Sequence, residues 1–226
     1  MNKATSETKP KTWAFPSGAL AFLKELRDNN NREWFQNNRQ VYDDSVKQPA
    51  DAFCALITEG LDRIAGRPHR PKIFRIHRDV RFSKDKSPYN THLHISFIPQ
   101  DASPSSPAWM FGFDPDKCSV GVGLFAFDKP ALEAYRQRVC GEDGAKLKRL
   151  LARLSGKGIR LSEPELKRIP RGFDDQSGAH DLLRHKGLTG WIEYQDPTVV
   201  TKAGIVSSCL SDFKRLQPLF NWLDRA

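Results

Sequence analysis

The densest chemistry in this sequence is the run Arg78-Asp79-Val80-Arg81-Phe82-Ser83-Lys84-Asp85-Lys86-Ser87-Pro88-Tyr89-Asn90. Over residues 72–90, Lys72, Arg75, Arg78, Arg81, Lys84 and Lys86 stand against only Asp79 and Asp85. Guanidinium and ammonium donors that converge from one loop hold phosphate or carboxylate oxygens, the arginine as a planar fork and the lysine as a point charge. In such a loop Asp79 and Asp85 orient the arginines or bind a cation, and Tyr89 is placed to stack on a base or to donate its hydroxyl. The same composition suits a solvated loop pinned to its own domain by ion pairs, which contribute little to stability.

Several motifs lose their catalytic meaning on context. His77-Arg78-Asp79 resembles the catalytic-loop triplet of protein kinases, but the Asn that loop needs five residues after its Asp is replaced by Lys84, and no D-F-G follows. Gly121-Val122-Gly123-Leu124-Phe125-Ala126 matches a dinucleotide-binding string. That string acts only where a strand leads into a helix, and Asp128-Lys129-Pro130 ends the strand before a helix can receive a pyrophosphate. A strand with glycines at a bulge or a close contact fits better. Ser83 and Lys86 have the S-x-x-K spacing of serine acyl-enzymes, which requires a helix that Pro88 and the surrounding charges disfavour. His92 and His94 share one strand face and could ligate a metal with Asp79 or His77, yet spacing fixes no third ligand, so exposed polar positions on a half-buried strand are the preferred reading. His180 and His185 are spaced for no common ligand pair on one helix face.

The elements that must position this loop follow from periodicity. Ser17 is placed to cap a helix carrying Leu20, Leu23 and Leu26, which Asn29-Asn30-Asn31 stops. Asn31 starts a second helix, with Phe35, Arg39, Tyr42 and Val46 at helical spacing and Arg39 carrying its charge to the edge of the stripe. Pro49 opens a third, with Phe53, Leu56, Ile57, Leu61 and Ile64 on one face. The period then changes. Residues 72–78 read as a strand, His92, His94 and Ser96 alternate with Leu93, Ile95 and Phe97, and apolar segments at 108–113 and 118–127 flank the turn Asp114-Pro115-Asp116. Helices resume at 130–140 and 143–155. Ser162-Glu163-Pro164-Glu165 has capping-box spacing, 169–173 is loop, and a short helix at 178–186 and a strand at 190–195 follow. The last helical region starts at Asp196-Pro197, its stripe of Ile205, Cys209, Phe213 and Leu216 interrupted by Pro218. Helices, then strands, then helices predict an α+β fold: one domain over residues 13–226 with a mainly antiparallel sheet between N-terminal and C-terminal helices, preceded by a flexible arm at 1–12.

Composition narrows the class. With 226 residues, 38% hydrophobic and 28% charged, the chain is long and apolar enough to bury a core. Its four cysteines, Cys54, Cys118, Cys140 and Cys209, lie far apart without zinc-finger spacing and read as reduced and mostly buried. The absence of a long apolar run or a secretory signal predicts a cytoplasmic protein without a membrane partner. Thirty-six Lys and Arg against 27 Asp and Glu give a formal charge of +9, which favours an anionic partner.

Three blocks together resemble the conserved hypothetical family DUF2461. The first is Phe22-Leu23-Lys24-Glu25-Leu26 with Asn29-Asn30-Asn31-Arg32-Glu33-Trp34-Phe35 and Asn38-Arg39; the second is Arg75 through Tyr89; the third runs from Leu166-Lys167-Arg168-Ile169-Pro170-Arg171-Gly172-Phe173 to Leu182-Leu183-Arg184-His185-Lys186. The resemblance covers about residues 15–223 and implies one domain occupying nearly the whole chain. The chain departs from the family pattern at Asn90, where a Lys is usual, and at Asp175-Gln176-Ser177, where the pattern has Asp-His-Pro. The resemblance implies no activity, cofactor or catalytic residue. The residues themselves therefore carry the expectation: binding or processing of a phosphate-bearing or other anionic ligand, small molecule or nucleic acid, at Arg78, Asp79, Arg81, Ser83, Lys84, Asp85, Lys86 and Tyr89. Arg32, Arg39, Arg171 and Arg184 join if the three blocks converge. Two other readings compete: a metal-assisted hydrolase using the nearby Asp and His residues, and a module that docks an acidic protein on the basic loop.

Overall fold

The computed structural model describes residues 12–173, 178 and 180–225. Nearly all of the N-terminal arm, and the family departure at Asp175-Gln176-Ser177, lie outside the described residues. In the first helices the asparagines act as their type predicts. The Asn31 side chain accepts the Trp34 N–H at 2.9 Å and opens α2 (Arg32–Asn37), just after α1 (Gly18–Asp28) has buried Phe22, Leu23 and Leu26. Ser17 precedes α1 without capping it through its side chain. The second helix expected from Asn31 breaks at Asn38, and the chain then runs helically without a loop through α3 (Arg39–Tyr42), a π turn (Asp43–Lys47) and α4 (Gln48–Ala65). Pro49 lacks the N–H that would bond Ser45, and the turn immediately before it is the one widened to π geometry.

One antiparallel sheet forms the centre. Its strands are β1 (His69–Ile73), β2 (Leu93–Pro99), β3 (Ala108–Phe113), β4 (Cys118–Leu124), β5 (Arg160–Leu161) and β6 (Leu188–Tyr194), in the order β1-β2-β3-β4-β6-β5. The first strand begins and ends earlier than the expected 72–78 because it is an edge strand, where Pro71 can sit without a ladder N–H. The strand expected to run to residue 127 stops at Leu124, beside Gly123 in a positive-φ conformation (130°).

Between β4 and β5 lie α5 (Lys129–Cys140) and α6 (Glu142–Ser155). Asp128 caps α5 by accepting the Ala131 N–H at 2.9 Å. Ser162 and Glu165 do not close a capping box: Ser162 Oγ accepts from Thr189 N at 3.1 Å and Glu165 Oε2 from Lys186 N at 2.7 Å, so both oxygens tie this segment to the approach of β6. The short helix α7 spans His180–Leu183.

The last helix, α8 (Ile205–Leu223), runs straight through Pro218, which corrects the expected interruption. The carbonyl that Pro218 leaves without its helical partner belongs to Lys214, an exposed residue, so water can satisfy it. Burial of Leu216, Leu219, Phe220 and Leu223 on both sides of the proline holds the helix together.

These helices cover one face of the sheet. Trp109 of β3 stacks on Phe220 of α8 at 4.3 Å, and Phe111 meets Phe53 of α4 at 4.4 Å. The opposite face carries His94, Met110, Gly112, Ser119, Gly121 and Trp191 and is left open over its middle. The molecule is thus a mixed α/β fold with a single six-stranded antiparallel sheet and flanking helices, as the order of elements predicts.

Candidate functional site

The basic run is the connection between β1 and β2. Its base is pinched by an antiparallel bridge between His77 and Tyr89, with Arg78 N donating to Pro88 O at 2.8 Å and Asn90 N to Ile76 O at 2.7 Å. Asn30 clamps the base from the helical side: its side chain donates to Tyr89 O at 2.9 Å and accepts from Tyr89 N at 3.1 Å. Tyr89 itself is only 3% exposed, its ring stacked on Phe35 at 4.1 Å. This corrects its expected role: the ring that was to stack on a ligand base is a core contact joining the first two sequence blocks.

Beyond the pinch, most of the loop's charges face one another. Arg81 forms a two-pronged bond to Asp79, Nε to Oδ1 at 2.9 Å and Nη2 to Oδ2 at 2.7 Å. Arg78 Nη1 donates to Asp85 at 2.5 Å and to the Ser87 carbonyl at 3.0 Å, and Lys86 Nζ to the Val80 carbonyl at 3.0 Å. Asp85 also accepts from the Ser87 hydroxyl and N–H, and these bonds, with Arg78, hold its carboxyl far below the usual carboxylate range. The Arg81 hydrogen bonds lower Asp79 in the same way. Ser83 N turns back to Val80 O at 3.3 Å. Lys84 is exposed and makes no ion pair with any described residue. At the tip Phe82 is 95% exposed beside the Arg81 guanidinium. Exposed pairs of this kind add little stability, but they reserve the donors they occupy.

None of the second-tier arginines lines the hollows at the foot of the loop. Arg32 is exposed on α2, and Arg39, expected along an apolar stripe, is exposed and faces Asp43 at 3.8 Å. Arg171 is exposed, and Arg184 pairs with Asp181 at 3.2 Å. The third block lies against α5, where Tyr135 donates its hydroxyl to the Leu182 carbonyl at 3.0 Å. Blocks one and two therefore meet, and the described part of block three packs elsewhere.

At the foot of the loop the structure assembles a cleft of about 350 Å³ between Phe74, Arg75, His77, Arg78, Asn90, His92 and His94, with Asp79, which Arg81 engages, also on its wall. Arg78 is also a wall of a neighbouring hollow of about 420 Å³, reaching Arg27 and Asn30. The guanidinium of Arg75 makes no hydrogen bond or ion pair with any described residue, so its planar donor fork is unused. A larger concavity, about 600 Å³, occupies the open face of the sheet and shares Phe74 and His94 with the cleft. Cavities of roughly 300–1,000 Å³ suit small-molecule ligands. Sequence reasoning counted Arg75 in the basic run but left it out of the site, and it passed over Phe74 and Trp191. For the hollow, the one available signal was glycine on the strands, at Gly112 and Gly121, whose missing side chains let His94 and Trp191 lie down on the sheet face.

His92 and His94 stack face to face with ring centroids 3.9 Å apart, as two residues on one strand face permit. His94 rests over Gly112, where a Cβ would stand 2.5 Å from its ring. Burial lowers the pKa of both rings, and the neighbouring His92 helps to push His94 down to about 4 although its outer edge meets solvent. Both are neutral at pH 7. Among the described residues no group of three or more His, Cys, Asp or Glu is arranged to hold a metal. Because the folded state resists protonation here, the unfolded chain binds more protons between the ordinary histidine value of 6.5 and about 4. Stability is expected to be full above pH 6.5 and to fall as pH drops through that window. A proton-detected titration should find His94 neutral down to about pH 5; a midpoint at 6.5 or higher would contradict the stacked, desolvated geometry.

Fold and site together define a mixed α/β protein whose single antiparallel sheet presents a ligand-sized hollow on its open face and a basic cleft at its strand ends. The chain belongs to the DUF2461 family of conserved hypothetical proteins, whose model matches residues 18–222. No curated protein matches the chain. Among the described residues no helix is long and apolar enough to cross a membrane.

Proposed function

We propose that this protein binds an organic anion whose charged group sits in the strand-end cleft against Arg75 and Arg78. The supporting observation is the unused guanidinium of Arg75, set beside a second arginine in a concavity whose stacked pair, His92 and His94, is neutral at physiological pH. A guanidinium fork is well matched to phosphate or carboxylate oxygens. The chain's formal charge of +9 adds long-range attraction for such a ligand. Compared with the loop itself, where Arg81 and Lys86 are already engaged, the cleft offers at Arg75 a donor fork that need not first give up an internal hydrogen bond, beside Arg78, which is held by Asp85 and the Ser87 carbonyl.

Titration of tripolyphosphate by calorimetry tests the reading. Arg75→Gln is expected to weaken binding by about tenfold or more, the magnitude of a lost charge-assisted hydrogen bond, with an unchanged thermal midpoint. Lys84→Gln, outside the cleft, should change affinity far less. Absence of binding to the unaltered protein, or equal binding by Arg75→Gln, would overturn the proposal.

A further inference from the structure

The hollow on the sheet face has an internal polarity. At one end, Trp191 of β6 lies across β4 at Gly121, where a Cβ would stand 2.4 Å from the indole ring. Only glycine there lets the indole lie down on the sheet, and its N–H is fixed by Thr189 Oγ1 at 3.0 Å. Phe125, 73% exposed, stands beside it with centroids 6.0 Å apart. An indole seated on glycine, with its polar atom satisfied and one face toward a hollow, is a stacking platform whose orientation is set before any ligand arrives.

Cations are tied to a carboxylate at that end and form no ion pair with any described residue at the other, where Asp79 acts on Arg75 only through its field. Glu193 binds Lys117 at 2.8 Å and Arg160 at 3.1 Å, and the two cations hold its carboxyl below the usual range. At the β1 end Lys72 has no carboxylate partner among the described residues and lies over Phe74 at 5.1 Å, next to the unused Arg75. From β6 to β2 is three strand spacings in the order β2-β3-β4-β6, about 14 Å at the usual separation.

We infer that the open sheet face binds a planar heteroaromatic ring against Trp191, and that the ligand of the cleft carries this ring on a flexible anionic arm, as a nucleoside triphosphate does. The charged end of this inference rests on the anion site proposed above; the ring end rests on the platform alone. Apolar aromatic surface on an open sheet face marks an interaction site, and the unpaired cations at one end with the aromatic platform at the other give the occupant one orientation.

Three probes separate the two ends: adenosine triphosphate, adenosine and tripolyphosphate, each titrated into the unaltered protein and into Trp191→Leu, Gly121→Ala and Arg75→Gln. Trp191 is half-buried on the open face, so its replacement should leave the thermal midpoint close to that of the parent. Gly121→Ala unseats the indole with the addition of a single methyl group. Both platform variants are expected to weaken adenosine and adenosine triphosphate at least about fivefold, the scale of one lost base-aromatic stack, and to leave tripolyphosphate unchanged. Arg75→Gln should weaken the two phosphates and spare adenosine. If tripolyphosphate binds through Arg75 while adenosine triphosphate gains nothing over it and ignores both platform variants, the ring inference fails and the anion site stands. If adenosine binds through Trp191 but tripolyphosphate does not bind, the anion site fails and the tethered ligand fails with it.

Discussion

Trp109→Ala is expected to lower the stability of this protein by about 3–5 kcal/mol, the usual cost of emptying a buried tryptophan site. For a chain of this size that corresponds to roughly 6–20 °C in thermal midpoint. Trp109 has no exposed surface, stacks on Phe220 at 4.3 Å and meets the ring of Phe213 at 5.3 Å, so it joins the middle of the sheet to α8. Its indole N–H is buried with no partner among the described residues. Trp109→Phe removes that orphaned donor and keeps a ring against Phe220, and it should cost clearly less than the alanine change. Urea or thermal unfolding of the two variants checks both statements. A loss below about 1 kcal/mol for Trp109→Ala would show that the sheet and α8 are not held together at this point.

Gly123→Val should be comparably damaging for a different reason. The φ of 130° at Gly123 disfavours any side chain, and a Cβ there would stand 2.1 Å from the Leu188 carbonyl oxygen and 2.8 Å from the Thr189 Cα. The obstacle is the backbone of β6, which cannot rotate away as a side chain does. Backbone strain of about 1–3 kcal/mol and overpacking of about 1–3 kcal/mol point to a combined loss of about 2–6 kcal/mol. Since Thr189 also holds the Trp191 indole, the variant should lose adenosine binding along with stability. Circular dichroism on heating gives the direct readout, and a midpoint within about 3 °C of the parent would contradict the tight approach of β4 to β6.

Periodicity made the helices and the longer strands legible, because apolar spacing and capping residues are local properties, whereas the order β4-β6-β5 and the short edge strand at Arg160–Leu161 were not. Asn31 caps as its position foretells, and the alternation at Leu93, Ile95 and Phe97 sets the core face of β2. Tertiary context decided the exceptions. Pro71 and Pro218, both breakers in isolation, are accommodated by an edge position and by an exposed carbonyl. The Ser162–Glu165 spacing was outweighed by backbone donors from a segment more than twenty residues away in sequence.

The candidate site was legible only in part. Charge density pointed to the β1–β2 connection, and that connection does border the cleft. Which cations remain available is a matter of distance: Arg81 stands in sequence two residues from the carboxylate that occupies it, whereas Arg75 is spared. Tyr89 shows the same limit, since nothing in its neighbours announces that Phe35 and Asn30 will draw it inward. The hollow was written chiefly in glycines, and their meaning emerged once the register put Gly121 opposite Trp191.

The two margins of the sheet bear on how this protein behaves in concentrated solution. One margin carries Pro71, which withholds a ladder donor, and the other is the two-residue strand Arg160–Leu161. A neighbouring molecule therefore finds no long row of unpaired backbone groups on which to add a strand. A protein with a broad uncovered sheet face is in this way protected from edge-to-edge polymerisation without that face having to be covered.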